Sequence, residues 1–371
     1  MKKSILLLLA VCMTLPLLAQ GRGKIAIPDL NGYVTMKCDF HIHTVFSDGS
    51  VFPTVRVDEA YREGLDAIAI TDHLEYRPGL QKIDELANAS AKDLSHNISY
   101  EMAKSYAKDR GIMLIRGAEI TRSMPPGHHN AIFITDADKL ATPDYMDAFR
   151  AAKAQNAFIF WNHPGWLSQQ PDTTLWFKEH TQLLQEGMMY GIEVVNGDYY
   201  TEAHRWCLEK KLTMLGNSDV HGPMAPFAPG KHRTMTLVFA RSATPEAIYE
   251  ALKERRTAVY HEDFVIGEEK YLKELFENAL EINVAITNNI ANVSIKNKSD
   301  LTFRLRSAAH NPNLVYLRNY ELVPFVIAPQ STKSTTVRLN NGSKGGDVNF
   351  YVENLLVEPG KGLLYTFKIT N

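Results

Sequence analysis

Short apolar runs punctuate the first two thirds of the chain at intervals that helix-like stretches fill. Ala67-Ile68-Ala69-Ile70, Met113-Leu114-Ile115, Ala131-Ile132-Phe133-Ile134, Phe158-Ile159-Phe160-Trp161 and Leu212-Thr213-Met214-Leu215 are each too short for a helix and read as buried strands. Between them, Pro53 to Glu63 has helical character and stops at Gly64, and Asp144 to Gln155 and Glu202 to Lys211 read the same way. This βα alternation, from Thr35 to about Tyr260, predicts an α/β fold built on a parallel sheet or barrel. Glu268 to Leu280 is expected as a linking helix. Beyond it the period changes to two: Ile282-Val284-Ile286, Val293-Ile295, Phe303-Leu305, Thr335-Val337-Leu339 and Tyr365-Phe367-Ile369 alternate with polar residues and are divided by Gly, Asn and Pro clusters. Short alternating strands of this kind predict a C-terminal β-sandwich of roughly 90 residues.

With 371 residues, 45% of them hydrophobic, the chain can bury a sizeable core and divides most naturally into two domains. The expected organisation is a leader over 1–20, a lead-in over 21–34, the α/β unit over 35–267, the linking helix over 268–280 and the sandwich over 281–371. Met1-Lys2-Lys3 followed by the apolar run Ile5 to Leu18 has the charge and length of a signal peptide, cleaved near Ala19-Gln20. Export to the periplasm or medium is the resulting expectation. A lipoprotein is the weaker alternative, since Val11 before Cys12 is a poor match to the small residue such processing requires. No other apolar run is long enough to span a membrane. A formal net charge of −2 gives no basic face for duplex nucleic acid. Cys38 and Cys207 could pair after export or remain two buried thiols.

The candidate chemistry lies at the ends of the apolar runs. In Cys38-Asp39-Phe40-His41-Ile42-His43-Thr44-Val45-Phe46-Ser47-Asp48-Gly49, His41 and His43 project from one side of an extended strand, so both can grip one ion. Asp48 follows in the loop and can supply oxygen to a neighbouring ion. Further ligand-type residues come at Thr71-Asp72-His73, at Glu119, at Gly127-His128-His129-Asn130, at Asn162-His163-Pro164 and at Asn217-Ser218-Asp219-Val220-His221. Active sites of α/β barrels are built at strand C-terminal ends, where nearly all of these fall. Imidazoles and carboxylates without thiolates suit zinc, manganese or iron, whereas calcium would want more oxygen.

The ordered series HxHTxxSDG, TDH, a strand-terminal Glu, GHxN, NHP and SDxH resembles the PHP (polymerase and histidinol phosphatase) superfamily of metal-dependent phosphoesterases, over roughly Thr35 to His261. Glu75-Tyr76-Arg77-Pro78 and Met124-Pro125-Pro126-Gly127 are similar to an exported bacterial phosphodiesterase branch. The resemblance implies a distorted seven-stranded β/α barrel with two or three divalent metal ions. It would give His41, His43, Glu119 and Asp219 to the first ion, Glu119 with His128 and His163 to the second, and Asp48, His73 and His221 to the third. The implied catalytic groups are Glu119, Asp219 and His221. The family pattern, His followed by any residue and then Asn, aligns His128 with the ligand and leaves His129 in the variable slot; because one residue's shift turns a strand side chain to the other face, the two are not expected to hold the same ion. Asp72 and Asn162 are expected to support ligands or to serve structurally, and His180, His261 and His310 to be ordinary surface or core histidines.

Such a cluster would activate water, clamp phosphoryl oxygens and stabilise the leaving alkoxide. Hydrolysis of small phosphate esters, diesters above monoesters, by in-line attack of a metal-bound hydroxide on phosphorus is the expected reaction. Arg77, Arg122 and Arg233 follow ligand motifs and are candidate phosphate-binding groups. Tyr199 and Trp166 are candidate pocket walls. Two alternatives stay open: a carboxylic ester or carbamate hydrolase on the same metal barrel, and a non-catalytic binding protein working through the sandwich.

Overall fold

The computed structural model describes residues 21–80, 94–228, 230–308, 314–316, 325–340 and 344–370. The leader-like segment and His310 lie outside the described residues. The strands of the first domain are β1 (Val34–Asp39), β2 (Ala67–Ile70), β3 (Met113–Ile120), β4 (His129–Ile132), β5 (Phe158–Trp161), β6 (Gly191–Asn196), the short β7 (Asp198–Tyr199), β8 (Thr213–Gly216) and β9 (Met235–Ala240). Between them run α1 (Pro53–Glu63), α2 (Ile98–Arg110), α3 (Tyr145–Ala154), α4 (Lys178–Gln185) and α5 (Thr201–Lys210). Helix α1 shows how local sequence sets its bounds: Pro53 opens it, and Gly64, at φ 79°, takes the left-handed cap that closes it. Among the described residues no helix is long and apolar enough to cross a membrane.

The strands pair in the order β9-β1-β2-β3-β4-β5-β6, with β8 also on β6. Pairs β1/β2, β2/β3, β5/β6 and β6/β8 are parallel, as the βα alternation predicts. Strand β4 is not: it runs antiparallel to both β3 and β5, and β9 runs antiparallel to β1. The reversal matters for the chemistry. An antiparallel strand starts at the end of the sheet where its neighbours stop, so the beginning of β4 lies beside the C-terminal ends of β3 and β5. The last side of the barrel is joined by side chains. Gly216 N–H donates to Thr236 Oγ1 at 3.0 Å, and the same hydroxyl donates to Gly216 O at 2.9 Å. A Cβ on Gly216 would stand 2.1 Å from Val259 Cγ1, so the packing of that branched side chain over the strand requires glycine here.

After α6 (Pro245–Lys253), β10 (Thr257–His261) and β11 (Phe264–Gly267) extend the barrel sheet beyond β9. Helix α7 (Glu269–Ala279) leads to β12 (Leu280–Thr287), β13 (Ile290–Asn297), β14 (Phe303–Ser307), β15 (Leu314–Tyr316), β16 (Phe325–Ile327), β17 (Thr332–Leu339), β18 (Gly346–Glu358) and β19 (Lys361–Ile369). One sandwich sheet is β12-β13-β17-β15. The other, β16-β14-β18-β19, pairs directly with the barrel sheet, because β18 runs parallel to β11 with Val265 opposite Leu355 and Ile266 opposite Leu356.

Helix α7 is therefore more than a linker. It buries Tyr271, Leu272, Leu275 and Phe276, and Phe276 meets the rings of Phe303 and Tyr365 at 4.9 Å. Its period of 3.6 aims one apolar stripe at barrel and sandwich together. Each of these side chains contributes about 1.5–3 kcal/mol on burial. Deleting 281–371 is expected to give an insoluble or non-cooperatively unfolding barrel, checked by expression and thermal melting. A soluble truncated chain with the full-length melting temperature would contradict the shared core.

Candidate metal centre

Strand β1 ends at Asp39, and the extended chain continues through His41 and His43. This extension is held from both sides: Asp219 N–H donates to His41 O at 2.9 Å, His43 N–H to Val220 O at 3.1 Å, and Thr71 N–H to Ile42 O at 2.9 Å. The alternation seen in sequence puts His41 Nε2 and His43 Nε2 3.1 Å apart, both rings fully buried. Glu119, at the end of β3, is the hub. Its Oε2 lies 3.3 Å from His41 Nε2, 3.2 Å from His43 Nε2 and 3.0 Å from His73 Nδ1, and its Oε1 lies 2.8 Å from His128 Nδ1 and 3.9 Å from His163 Nε2. Asp219 Oδ1 stands 3.1 Å from His41 and 3.0 Å from His43. Asp48 Oδ1 stands 3.4 Å from His73 Nε2 and 3.2 Å from His221 Nε2.

All nine residues expected as ligands converge. Their donor atoms fall into four overlapping groups: His41, His43 and Glu119; His41, His163 and Asp219; Glu119, His128 and His163; and His43, Asp48, His73 and His221. Two details differ from the grouping the resemblance implies. His163 also faces Asp219, and His43 also joins the Asp48 group. Asp219 and His163 both hold left-handed backbone, at φ 52° and 28°. Residues other than glycine rarely adopt it, and such strain concentrates at working sites.

The electrostatics are those of a pocket built for cations. Burial alone would push the imidazoles down, yet Asp219 and Glu193 hold His41 well above its ordinary value, and the adjacent carboxylates of Asp219 and Glu119 raise His43 as well. Burial likewise opposes protonation of His73, but Glu119 outweighs it and lifts the ring to about 10. Burial would raise the carboxylates, but the surrounding imidazoles hold Asp48, Glu119 and Asp219 low. Glu119 Oε1, Asp219 Oδ1, His128 Nδ1 and His163 Nδ1 are buried without a hydrogen-bond partner. Orphaned polar atoms of this kind are costly, and here they cluster around shared points where a divalent ion would satisfy them. The residues present therefore fit two or more nitrogen- and oxygen-liganded metal ions.

Two supporting groups, Glu193 and Arg56, were not legible as such. Glu193, in the middle of β6, accepts from His41 Nδ1–H at 2.8 Å and Asn217 Nδ2 at 2.9 Å through one oxygen. Its other oxygen accepts from the His163 backbone N–H and from Asn196 Nδ2, both at 2.7 Å. It thus fixes the tautomer that leaves His41 Nε2 free to ligate. A lone carboxylate within the apolar Gly191-Ile192-Glu193-Val194-Val195 was the available signal. Arg56 on α1 is fully buried and uses all five N–H groups, toward His43 O, Val220 O, His221 O, Gly222 O and Glu59 Oε2. Asp72 supports the first ligand loop, accepting from Thr44 N–H at 2.6 Å and Ser47 Oγ at 2.7 Å. Asn162 takes the structural role, exchanging hydrogen bonds with Asn130.

The three arginines expected at the phosphate are placed otherwise. Arg233 is buried, donating to Glu63 at 2.6 and 2.8 Å and to Asp39 at 2.9 Å. Arg77 donates to Phe46 O at 3.1 Å and Leu94 O at 2.9 Å. Arg122 donates to Thr142 O and Pro143 O and pairs with Glu75 at 2.8 Å. All three brace loops. Tyr199 shares a hydrogen bond with His204 Nδ1 at 2.8 Å, whereas Trp166 stands beside His128 and His163. His129 points into the core against Phe149, while His128 faces Glu119. His261 accepts or donates to Thr234 Oγ1 at 2.7 Å away from the cluster. Cys38 and Cys207 are both buried free thiols.

His180 is a core histidine with a measurable consequence. It stacks on Trp161 at 3.8 Å, its Nε2–H donates to Pro126 O at 2.7 Å, and its Nδ1 accepts from Phe177 N–H. Burial pushes it down to about 4. The unfolded chain therefore takes up this proton first, and the stability it contributes is complete above about pH 6.5 and declines as the pH falls toward 4, by on the order of 3 kcal/mol. His180→Gln is expected to flatten the fall in denaturation midpoint between pH 7 and 5. An identical fall in the variant would contradict this.

Comparisons with known proteins agree with this architecture. A PHP domain profile matches residues 39–204, and an Ig-like domain profile matches 280–368. A crystal structure from Bacteroides vulgatus, of a two-domain protein containing a predicted PHP-like metal-dependent phosphoesterase, is 50% identical with a TM-score of 0.88, over 94% of this chain and 99% of that one. An uncharacterised protein of Methanocaldococcus jannaschii is 29% identical over 199 residues, 51% of this chain and 83% of its own. With a mixed α/β barrel, an Ig-like sandwich and a nine-residue His, Asp and Glu cluster at the barrel mouth, the chain belongs to the PHP superfamily of metal-dependent phosphoesterases.

Proposed function

We propose that this protein hydrolyses small phosphodiesters, and that it does so after export, as the leader-like first residues suggest. The observation that carries the reading is the convergence of nine imidazole and carboxylate ligands on adjoining points. Divalent ions held there supply Lewis acidity toward phosphoryl oxygens and lower the pKa of water toward neutrality. The chain's own residues decide the rest. His41, His43 and Glu119 close the floor, whereas Asp48 and His221 are part-exposed, so the ester enters from their side. Glu193 keeps His41 oriented, and Arg56 ties the His43 and His221 loops together.

Substrate charge favours the diester. Glu119, Asp219 and Asp48 already crowd the pocket with negative charge, and Arg77, Arg122 and Arg233 are committed to protein acceptors. A diester brings one negative charge, whereas a monoester brings about two near neutral pH. In hydrolysis, water oxygen bonds to phosphorus as the ester P–O bond breaks, and the departing alcohol takes a proton. With the leaving group held constant, p-nitrophenyl methyl phosphate is expected to give a higher kcat/KM than p-nitrophenyl phosphate. A clear preference for the monoester would overturn the diester assignment, and faster turnover of p-nitrophenyl acetate than of either would overturn the phosphoester assignment.

A further inference from the structure

Two aromatic side chains stand at the mouth of the metal cluster with much of their surface unused by packing. Trp166 is 43% exposed and Tyr76 55% exposed. Each touches ligand imidazoles: Trp166 lies 5.6 Å from the His128 ring and 5.3 Å from the His163 ring, and Tyr76 lies 5.9 Å from the His73 ring. His73 and His128 are themselves 5.9 Å apart, so the four rings Tyr76, His73, His128 and Trp166 run in series along one lip. Packing that merely steadied the imidazoles would cover these rings more fully.

Their loops are rigidly held. Trp166 N–H donates to His163 O at 2.9 Å, and the N–H groups of Gln169 and Gln170 donate to Trp166 O at 2.9 Å. On the other side, the two arginines once expected at the phosphate hold the Tyr76 segment. Arg77 reaches across to Phe46 O, and Arg122 grips Glu75, whose second oxygen accepts from Thr121 N–H at 2.7 Å. Gln169 Nε2 donates to Arg122 O at 3.0 Å and joins the two loops into one frame. Exposed aromatic rings on braced loops are presented at little cost in ordering, which is what a stacking platform requires.

We propose that Trp166 and Tyr76 form the ester-group subsite of this centre and select phosphate esters carrying a flat aromatic group. This deepens the phosphoester reading and rests on it. Trp166 supplies the broad π-face, and Tyr76 walls the opposite end of the lip. Stacking of this kind favours an aromatic group by about tenfold over a small alkyl one.

Calorimetry on the metal-loaded protein tests the subsite without turnover, using phenyl-, cyclohexyl- and methylphosphonate as probes. Phenylphosphonate is expected to bind about tenfold more tightly than methylphosphonate and more tightly than cyclohexylphosphonate. Trp166→Ala should bring the phenyl-to-methyl ratio close to one with metal content retained, and Trp166→Phe should keep part of it. Equal binding of the three probes, or of phenyl and cyclohexyl, would overturn the proposal. So would loss of metal in Trp166→Ala with an undiminished ratio in the remaining loaded fraction, which would mark an imidazole-packing role. The diester comparison above is a separate measurement: its failure would remove the diester reading, whereas failure of the phosphonate ratio would remove the subsite alone.

Discussion

Glu119→Gln is expected to lose bound metal and, with it, nearly all hydrolytic activity. One carboxylate faces five imidazoles here, His41, His43 and His73 through Oε2 and His128 and His163 through Oε1. It belongs to two of the four donor groups and is fully buried. Replacing one oxygen by an amide nitrogen removes the charge that offsets closely spaced cations and turns N–H donors toward them. Breaking a buried charge pairing costs about 3–5 kcal/mol, which corresponds to metal binding weaker by roughly a hundred- to several-thousand-fold. Asp219→Asn acts on the neighbouring group in the same sense. His129→Ala is the contrasting case, because that ring packs on Phe149 and Trp161; its metal content should be retained while stability falls. Metal analysis of the purified variants, with activity measured on the same samples, checks all three. Near-normal turnover and a full metal complement in Glu119→Gln would count against the site as described.

The second large effect is expected at a residue that touches no ligand side chain. Arg56→Met keeps the volume and removes five N–H donors at once. It leaves four backbone carbonyls, at His43, Val220, His221 and Gly222, with fewer partners and Glu59 beside an apolar group. The cost is about 3–5 kcal/mol, or roughly 5–15 °C in Tm. Because those carbonyls belong to the loops carrying His43 and His221, the group they form with Asp48 and His73 should also weaken, by about 10–100-fold in affinity. Arg56→Lys restores charge without the forked geometry and should recover little. Thermal melting and metal titration read the two effects separately. An unchanged Tm together with unchanged titration would contradict the clamp.

The sequence carried the ligands better than their supports, for a physical reason. His41, His43, His73, Glu119, His163 and Asp219 sit where apolar strands end, so period and punctuation locate them without knowledge of the fold. The choice of His128 over its neighbour came from the family pattern, and strand alternation added that the two would not both face one ion. Sequence could not show that β4 reverses direction, since the reversal depends on pairing with β3 and β5, although it left His128 at the correct end. Nor did it identify Glu193 or Arg56. Their partners lie 152 residues away for Glu193 and His41, and 165 for Arg56 and His221. The arginines failed for a related reason: proximity to a motif in sequence says nothing about which acceptor is nearer in space, and backbone carbonyls and buried carboxylates took them first. The shared core of α7 and β18 was hidden similarly, because a helix between two domains reads as a linker until both of its packing partners are known.

The most direct test of the central claim is to strip the intact protein with a chelator, follow hydrolysis of p-nitrophenyl methyl phosphate, and restore manganese, zinc or iron(II) in measured increments. The nine converging ligands predict negligible turnover in the stripped protein and recovery that requires more than one equivalent of bound ion per chain. Full turnover by protein verified as metal-free would contradict the account.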